Sequence, residues 1–152
     1  MQSSPDVPFS VSDAEVPLIV VQTTPAEAPP PAYLLRYHRV DIALDPFPYN
    51  GMTTTLDALW MGVPVVALIG AMTLGRASFS LLSNVGLAEL AAQNEDEYVR
   101  LATDLAHDIP RLASLRTTLR ERMKASPFLD APRFARNLEA AYRRAWETWC
   151  RK

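Results

Sequence analysis

Cysteine and histidine are nearly missing from this chain, which has one cysteine, Cys150, and two histidines, His38 and His107, in 152 residues. A lone thiol cannot close an internal disulfide, and it points to a reducing compartment, the cytoplasm. The two histidines lie far apart and no His/Cys/carboxylate group has the spacing of metal ligands, so no metal is expected. Long hydrophobic runs are absent too. No stretch nears the ~20 apolar residues of a membrane-spanning helix, so no membrane partner is expected. The first 32 residues contain no Lys, Arg or Gly and thus lack the basic start of a secretory signal. Basic side chains gather at the other end, where the segment from Arg111 onward holds 11 of them against four acids. Arg116, Arg120, Arg133, Arg136, Arg143 and Arg144 are spread around amphipathic helices, with acids between them, no stacking aromatics in basic loops and no known binding motif. A solvated face is expected there and no nucleic-acid partner, which the net charge of −2 favours.

What is present divides the chain in two. Residues 1–32 hold seven of the 13 prolines and four acidic side chains, the composition of an extended or disordered arm. Within it, the run from Val16 to Val21 reads either as a strand, with bounds near Val16–Thr23, or as an apolar patch in a tail. From residue 33 to 152 the chain has the apolar periodicity of a folded domain, and a composition 49% hydrophobic and 21% charged is that of an ordinary globular protein.

The most informative stretch is Asp41 to Val66, DIALDPFPYNGMTTTLDALWMGVPVV. A short apolar run at Asp41–Asp45 and another at Pro64–Ile69 are separated by one helix length, the pattern of a parallel strand pair with a crossover. Pro46 and Pro48 stop the first strand, Asn50-Gly51 allows positive φ, and Thr53, Thr54 and Thr55 open the helix. The first N–H groups of a helix have no internal partner, and its macrodipole places about +0.5 charge there, so this start suits a phosphate or diphosphate. Hydroxyls at Thr53 and Thr54 add donors, and Gly51 lets a ligand approach the backbone. Asp57, one turn further on, can accept hydrogen bonds from ribose hydroxyls. The same Thr54-x-x-Asp57 spacing also fits a capping box, in which both side chains only satisfy helix-end N–H groups.

Three blocks carry a resemblance: YHRVDIALDPFPYNGMTTTLDALWMGVPVVAL, GRASFSLLSNVGLAELAAQNEDEYVRLATDLA and RMKASPFLDAPRFARNLEAAYRRAWETWC. In this order, over about Tyr37 to Cys150, they resemble the C-terminal part of bacterial O-linked N-acetylglucosamine transferases of glycosyltransferase family 41, the SPINDLY-like enzymes. The resemblance implies an α/β fold: the Rossmann-like C-terminal portion of a GT-B lobe, an incomplete parallel sheet followed by helices. It implies transfer of N-acetylglucosamine from UDP-N-acetylglucosamine to Ser or Thr of a protein acceptor, with no metal cofactor. The family's donor loop falls on Asn50, Gly51, Met52, Thr53 and Thr54, and its ribose-contacting acid on Asp57. Met52 stands where relatives carry His or a small residue, and Tyr33 at the spacing where animal relatives have a His. Arg76 matches a family arginine near the cleft, whereas Ala71 replaces a glutamate. The family's N-terminal lobe and its catalytic His have no counterpart here. No catalytic residue is therefore assigned, and the chain is expected to be a fragment, inactive alone, completed by a missing lobe or a tetratricopeptide-repeat polypeptide. The competing reading is a non-catalytic interaction module derived from the same fold.

Downstream the chain reads as helical. A helix starts at Thr73 or Gly75 and runs to the Asn84-Val85-Gly86 turn, with Phe79, Leu81 and Leu82 toward the sheet. Asn94 caps a helix over residues 95–107, with Tyr98, Leu101, Ala102 and Leu105 on one stripe. Pro110 starts another, carrying Leu112, Leu115 and Leu119, which Ser126-Pro127 ends. The last spans about residues 132–149, and Phe134, Leu138, Ala141, Tyr142, Ala145 and Trp149 are expected to form its buried face. With the other lobe missing, Trp146 or Trp149 is expected to be left exposed.

Overall fold

The computed structural model of the protein describes residues 20–21 and 30–151. Among the described residues, four short strands form one parallel sheet in the order β1 (Val20–Val21), β2 (Ile42–Leu44), β3 (Val65–Leu68) and β4 (Ala91–Ala92). Ala43 and Leu44 lie beside Val65 and Val66, and Ala67 and Leu68 beside Ala91 and Ala92. β3 is buried at all four positions, as expected of a central parallel strand covered on both faces. The pairing of Val20 with Ile42 and Val21 with Ala43 settles the arm's apolar run as a strand at those residues. The remainder of the expected Val16–Thr23 strand, and most of the Pro-rich arm, lie outside the described residues. β4 was not anticipated: two alanines before a helix cap give no period to read.

The described residues also form six α-helices: α1 (Pro30–Leu35), α2 (Thr53–Trp60), α3 (Ala77–Asn84), α4 (Glu95–His107), α5 (Ile109–Ala125) and α6 (Ala131–Cys150). α1 begins at Pro30, inside the segment assigned to the arm. Of the two expected starts of the third helix, Thr73 opens a 3-10 turn over Thr73–Arg76, and the α-helix itself begins at Ala77 rather than Gly75. Asn94 caps α4 through a 2.9 Å bond from the Glu97 N–H, and Asp108 caps α5 in the same way from Arg111. Leu59, Val63, Val66, Leu82 and Leu119 are fully buried, so the core lies between the sheet and α2, α3 and α5. Truncating one such leucine to alanine costs about 2–5 kcal/mol.

Two expectations are corrected here. Arg116 and Arg120 do not belong to a solvated face. Arg116 donates to the carbonyls of Tyr37 (3.2 Å), Met61 (3.3 Å) and Val40 (2.8 Å), and Arg120 to the Trp60 carbonyl (3.0 Å) while lying over the Trp60 ring. These carbonyls include orphans at the C-terminal end of α2, where the helix dipole favours cations. The second correction is α6. Its stripe has the right period, but every described residue is exposed, with Phe134 65%, Tyr142 69% and Trp149 70% accessible. The helix meets the body chiefly at the 3-10 turn Pro127–Leu129, and nothing within the described residues covers that face.

Candidate functional site

All four strands point the same way, so their carboxyl ends share one edge, the edge at which open α/β sheets bind ligands. Asp45 follows β2 directly. It continues the ladder, its N–H donating to the Val66 carbonyl at 2.9 Å, and its own carbonyl accepts from the Tyr98 hydroxyl at 3.1 Å. The loop 46–52 then crosses the edge with a cis Phe47-Pro48 bond and rests on the loop after β3. Asn50 donates from its backbone to Leu74 and from its side chain to Leu68, each at 3.4 Å. Gly70 and Gly75 touch back to back: a Cβ on Gly75 would lie 2.9 Å from the Gly70 Cα and 3.3 Å from the Pro48 carbonyl.

Gly51 is needed, but not for the reason its Asn-Gly context suggests. Neither Asn50 nor Gly51 has positive φ. A Cβ on Gly51 would instead lie 2.6 Å from Thr54 Oγ1, 2.7 Å from Thr55 Oγ1 and 3.1 Å from Asp45 Oδ1, closer than such atoms pack. Crowding by the start of α2 excludes every larger residue.

The capping box is not formed either. Met52 occupies the cap position of α2, no side chain bonds the helix-end N–H groups, and the first internal bond runs from the Leu56 N–H to the Met52 carbonyl at 3.0 Å. Among the described residues, the N–H groups of Thr53, Thr54 and Thr55 have no acceptor. Thr53 is exposed and Thr54 half-buried, so the helix start opens to solvent with its donors unused. Met52 is 58% exposed beside it.

Asp57 faces α1 from one turn inside α2. Burial pushes its carboxyl above the usual range, and a hydrogen bond from the Tyr33 hydroxyl pulls it back. The Tyr33 hydroxyl lies 2.8 Å from that of Tyr37, which donates to the Thr54 carbonyl at 3.3 Å. Burial and this partner hold the Tyr37 phenol far above its ordinary range. A chain of polar contacts thus leads from Asp57 to the second residue of α2. Arg76 stands at the start of α3, exposed and with no side-chain partner among the described residues, two residues before Ser78, which reaches the loop.

Sequence reasoning passed over the groups beneath this surface: Asp45, Thr55 and Ser78, all buried. Asp45 was visible only as the end of a strand, although an acid just past the carboxyl end of a parallel strand is a signal in itself. Outside this edge, His38 and His107 are exposed, and the His107 Nδ1 lies 2.8 Å from the Thr103 carbonyl in its own helix. Cys150 is exposed near the end of α6. Among the described residues no group of three or more His, Cys, Asp or Glu side chains is placed to hold a metal ion. Nor is any described helix long and apolar enough to cross a membrane.

The model of Glycosyl transferase family 41 matches residues 21–138. The chain belongs to glycosyltransferase family 41. Among curated relatives of this family-41 chain, a probable UDP-N-acetylglucosamine–peptide N-acetylglucosaminyltransferase SPINDLY of Eustoma exaltatum is 48% identical over 119 residues. That alignment covers 78% of this chain and 13% of the relative. A UDP-N-acetylglucosamine–peptide N-acetylglucosaminyltransferase of Giardia intestinalis is 33% identical over 117 residues, 77% of this chain and 8% of the relative. A solved mutant of the Thermobaculum terrenum O-GlcNAc transferase superposes with a TM-score of 0.76 at 45% identity, over 82% of this chain and 24% of that one. The chain therefore spans about an eighth of the length of its SPINDLY relatives. Its fold is the expected Rossmann-like C-terminal portion of a GT-B lobe, a parallel sheet followed by helices.

Proposed function

We propose that this chain forms the donor-binding end of a protein O-glycosyltransferase that moves N-acetylglucosamine from UDP-N-acetylglucosamine to Ser or Thr hydroxyls of a protein acceptor. The observation that carries this reading is the open start of α2, whose Thr53, Thr54 and Thr55 N–H groups lack acceptors at the carboxyl edge of the sheet. A diphosphate placed there receives backbone donors, the Thr53 and Thr54 hydroxyls and the positive end of the helix dipole. In the reaction the acceptor oxygen attacks the anomeric carbon while the bond to the diphosphate oxygen breaks and the diphosphate leaves as an anion. Donors fixed before the reaction stabilise that developing charge without a metal. Asp57 accepts from the ribose hydroxyls, Asn50 and Gly51 shape the loop, and Arg76 adds a cation from the neighbouring loop.

Removing the acceptor's proton is a different requirement. Among the described residues, neither His38 nor His107 sits at this edge, so the chain is assigned the donor half of the chemistry and another lobe or polypeptide the rest. The single thiol is consistent with a cytoplasmic setting. The non-catalytic reading has one specific support: Met52 places an exposed thioether, which cannot donate to phosphate, at the mouth of the site.

Two measurements decide. In calorimetry, UDP is expected to bind the purified chain more weakly than about 10 μM, and Thr53→Ala/Thr54→Ala should remove what binding there is. Incubation with UDP-N-acetylglucosamine and a Ser/Thr-rich peptide should give no glycopeptide by mass spectrometry above the no-protein control. Product that disappears in the double variant would make the chain a transferase in its own right.

A further inference from the structure

The surface at the start of α2 stands on a buried polar cluster that the donor chemistry leaves unused. Asp45, 4% exposed, receives the Gly51 N–H at 2.8 Å and the Thr55 hydroxyl at 3.3 Å on one oxygen, Oδ1. Thr55 Oγ1 also lies 3.0 Å from the Gly51 carbonyl and 3.4 Å from Ser78 Oγ, and Ser78 donates to that carbonyl at 3.0 Å. Both polar groups of the Gly51 peptide are thereby held, the N–H by the end of β2 and the carbonyl by α2 and α3. The second carboxylate oxygen, Asp45 Oδ2, is buried without a partner, as is Asn50 Oδ1. An unpaired buried acceptor is costly, and packing alone would favour an apolar residue at this position. A buried acid kept under such cost fits a site where geometry matters more than stability.

We infer that Asp45 is a positioning residue for the donor site: through Gly51 and Thr55 it holds the first turn of α2 open to the diphosphate, and through Ser78 it ties that turn to the start of α3, where Arg76 stands. The assignment rests on the donor-binding reading above. Without the carboxylate, the Gly51 N–H loses its acceptor and Gly51 is held only through its carbonyl, by Thr55 and Ser78. The donors at Thr53 and Thr54 then no longer share one fixed direction. Arg76, placed by the same cluster, is released with them.

The test compares Asp45→Ala, Asp45→Asn and Ser78→Ala in the full chain, by amide hydrogen exchange at Gly51 and residues 53–56 and by UDP titration at millimolar concentration. Asparagine keeps an acceptor oxygen for Gly51, so it separates positioning from charge. In Asp45→Ala, exchange at Gly51 is expected to rise at least about tenfold and UDP affinity to fall by a similar factor, while the amides of α4 and α5 keep wild-type protection. Asp45→Asn should return both readouts to within about threefold of wild type, and Ser78→Ala should fall between. If Asp45→Ala does not fold, the asparagine and Ser78 variants still carry the comparison. Wild-type exchange at Gly51 in Asp45→Ala, or UDP affinity unchanged in a folded Asp45→Ala, would overturn the role. Failure of wild-type chain to bind UDP at all, with the exchange effect intact, would sink the donor reading and leave the local control of Gly51 by Asp45 standing.

Discussion

Asp57 shows how one carboxylate can satisfy two sequence patterns and only one structure. With α2 beginning at Thr53 and no side chain bonding its end, Asp57 lies beyond reach of the orphan N–H groups and contacts Tyr33 instead. Asp57→Asn should therefore change stability by no more than about 0.5 kcal/mol, while UDP binding weakens. A melting point that drops several degrees with unchanged UDP binding would restore the capping role. Asp45 gives a pH prediction. Burial raises its pKa above the ordinary carboxylate value, although the bonds from Gly51 and Thr55 and the nearby polar side chains of Ser78 and Asn50 act the other way. The folded chain thus holds this proton more tightly than the unfolded one, and the contribution of Asp45 is most favourable below the unfolded pKa and declines as pH rises toward the folded value. Asp57 shifts in the same direction, so the comparison must be with Asp45→Asn. Wild-type urea midpoints should fall relative to that variant as pH rises through the weakly acidic range; parallel curves would contradict the assignment.

At the scale of elements, α2 is fixed at both ends by different chemistry. Its start is held from below by Asp45 and its end by two arginines from α5. Arg116 supplies several charge-assisted bonds, and burial depresses its pKa against the opposing influence of Asp41. Arg116→Met should cost about 2–4 kcal/mol in thermal or urea unfolding, and Arg116→Lys should recover little, because a point charge cannot reach carbonyls on three residues. Full rescue by lysine would show that charge alone matters. These elements also show what sequence made legible. The short apolar runs located β2 and β3, and the period-3.6 stripes α4 and α5, within a residue or two, because a strand covered on both faces is apolar throughout and one buried helix face imposes its period. The partners of Arg116 and Arg120 were not legible, since they lie 55 to 79 residues away along the chain. The buried cluster under Gly51 escaped for the same reason: Asp45, Thr55 and Ser78 sit on three separate elements. On α6 the stripe was read correctly and its burial was not, because periodicity tells which face is apolar and not whether the covering surface is in the same chain.

At the scale of the molecule, the sheet's carboxyl edge, the open start of α2 and the exposed stripe of α6 support the proposal that the chain works with a further lobe or polypeptide. The chain covers 24% of the transferase structure it superposes on, and under the proposed function it contributes the donor side alone. The central claim is that the start of α2 is where the diphosphate sits. Chemical-shift mapping of the isotopically labelled chain during a UDP titration tests it most directly. The largest displacements are expected at the amides of Gly51, Thr53, Thr54 and Thr55, with smaller ones at Arg76 and Asp57, and none on α6. Displacements that cluster on α5 or α6 while residues 51–55 stay fixed would contradict it.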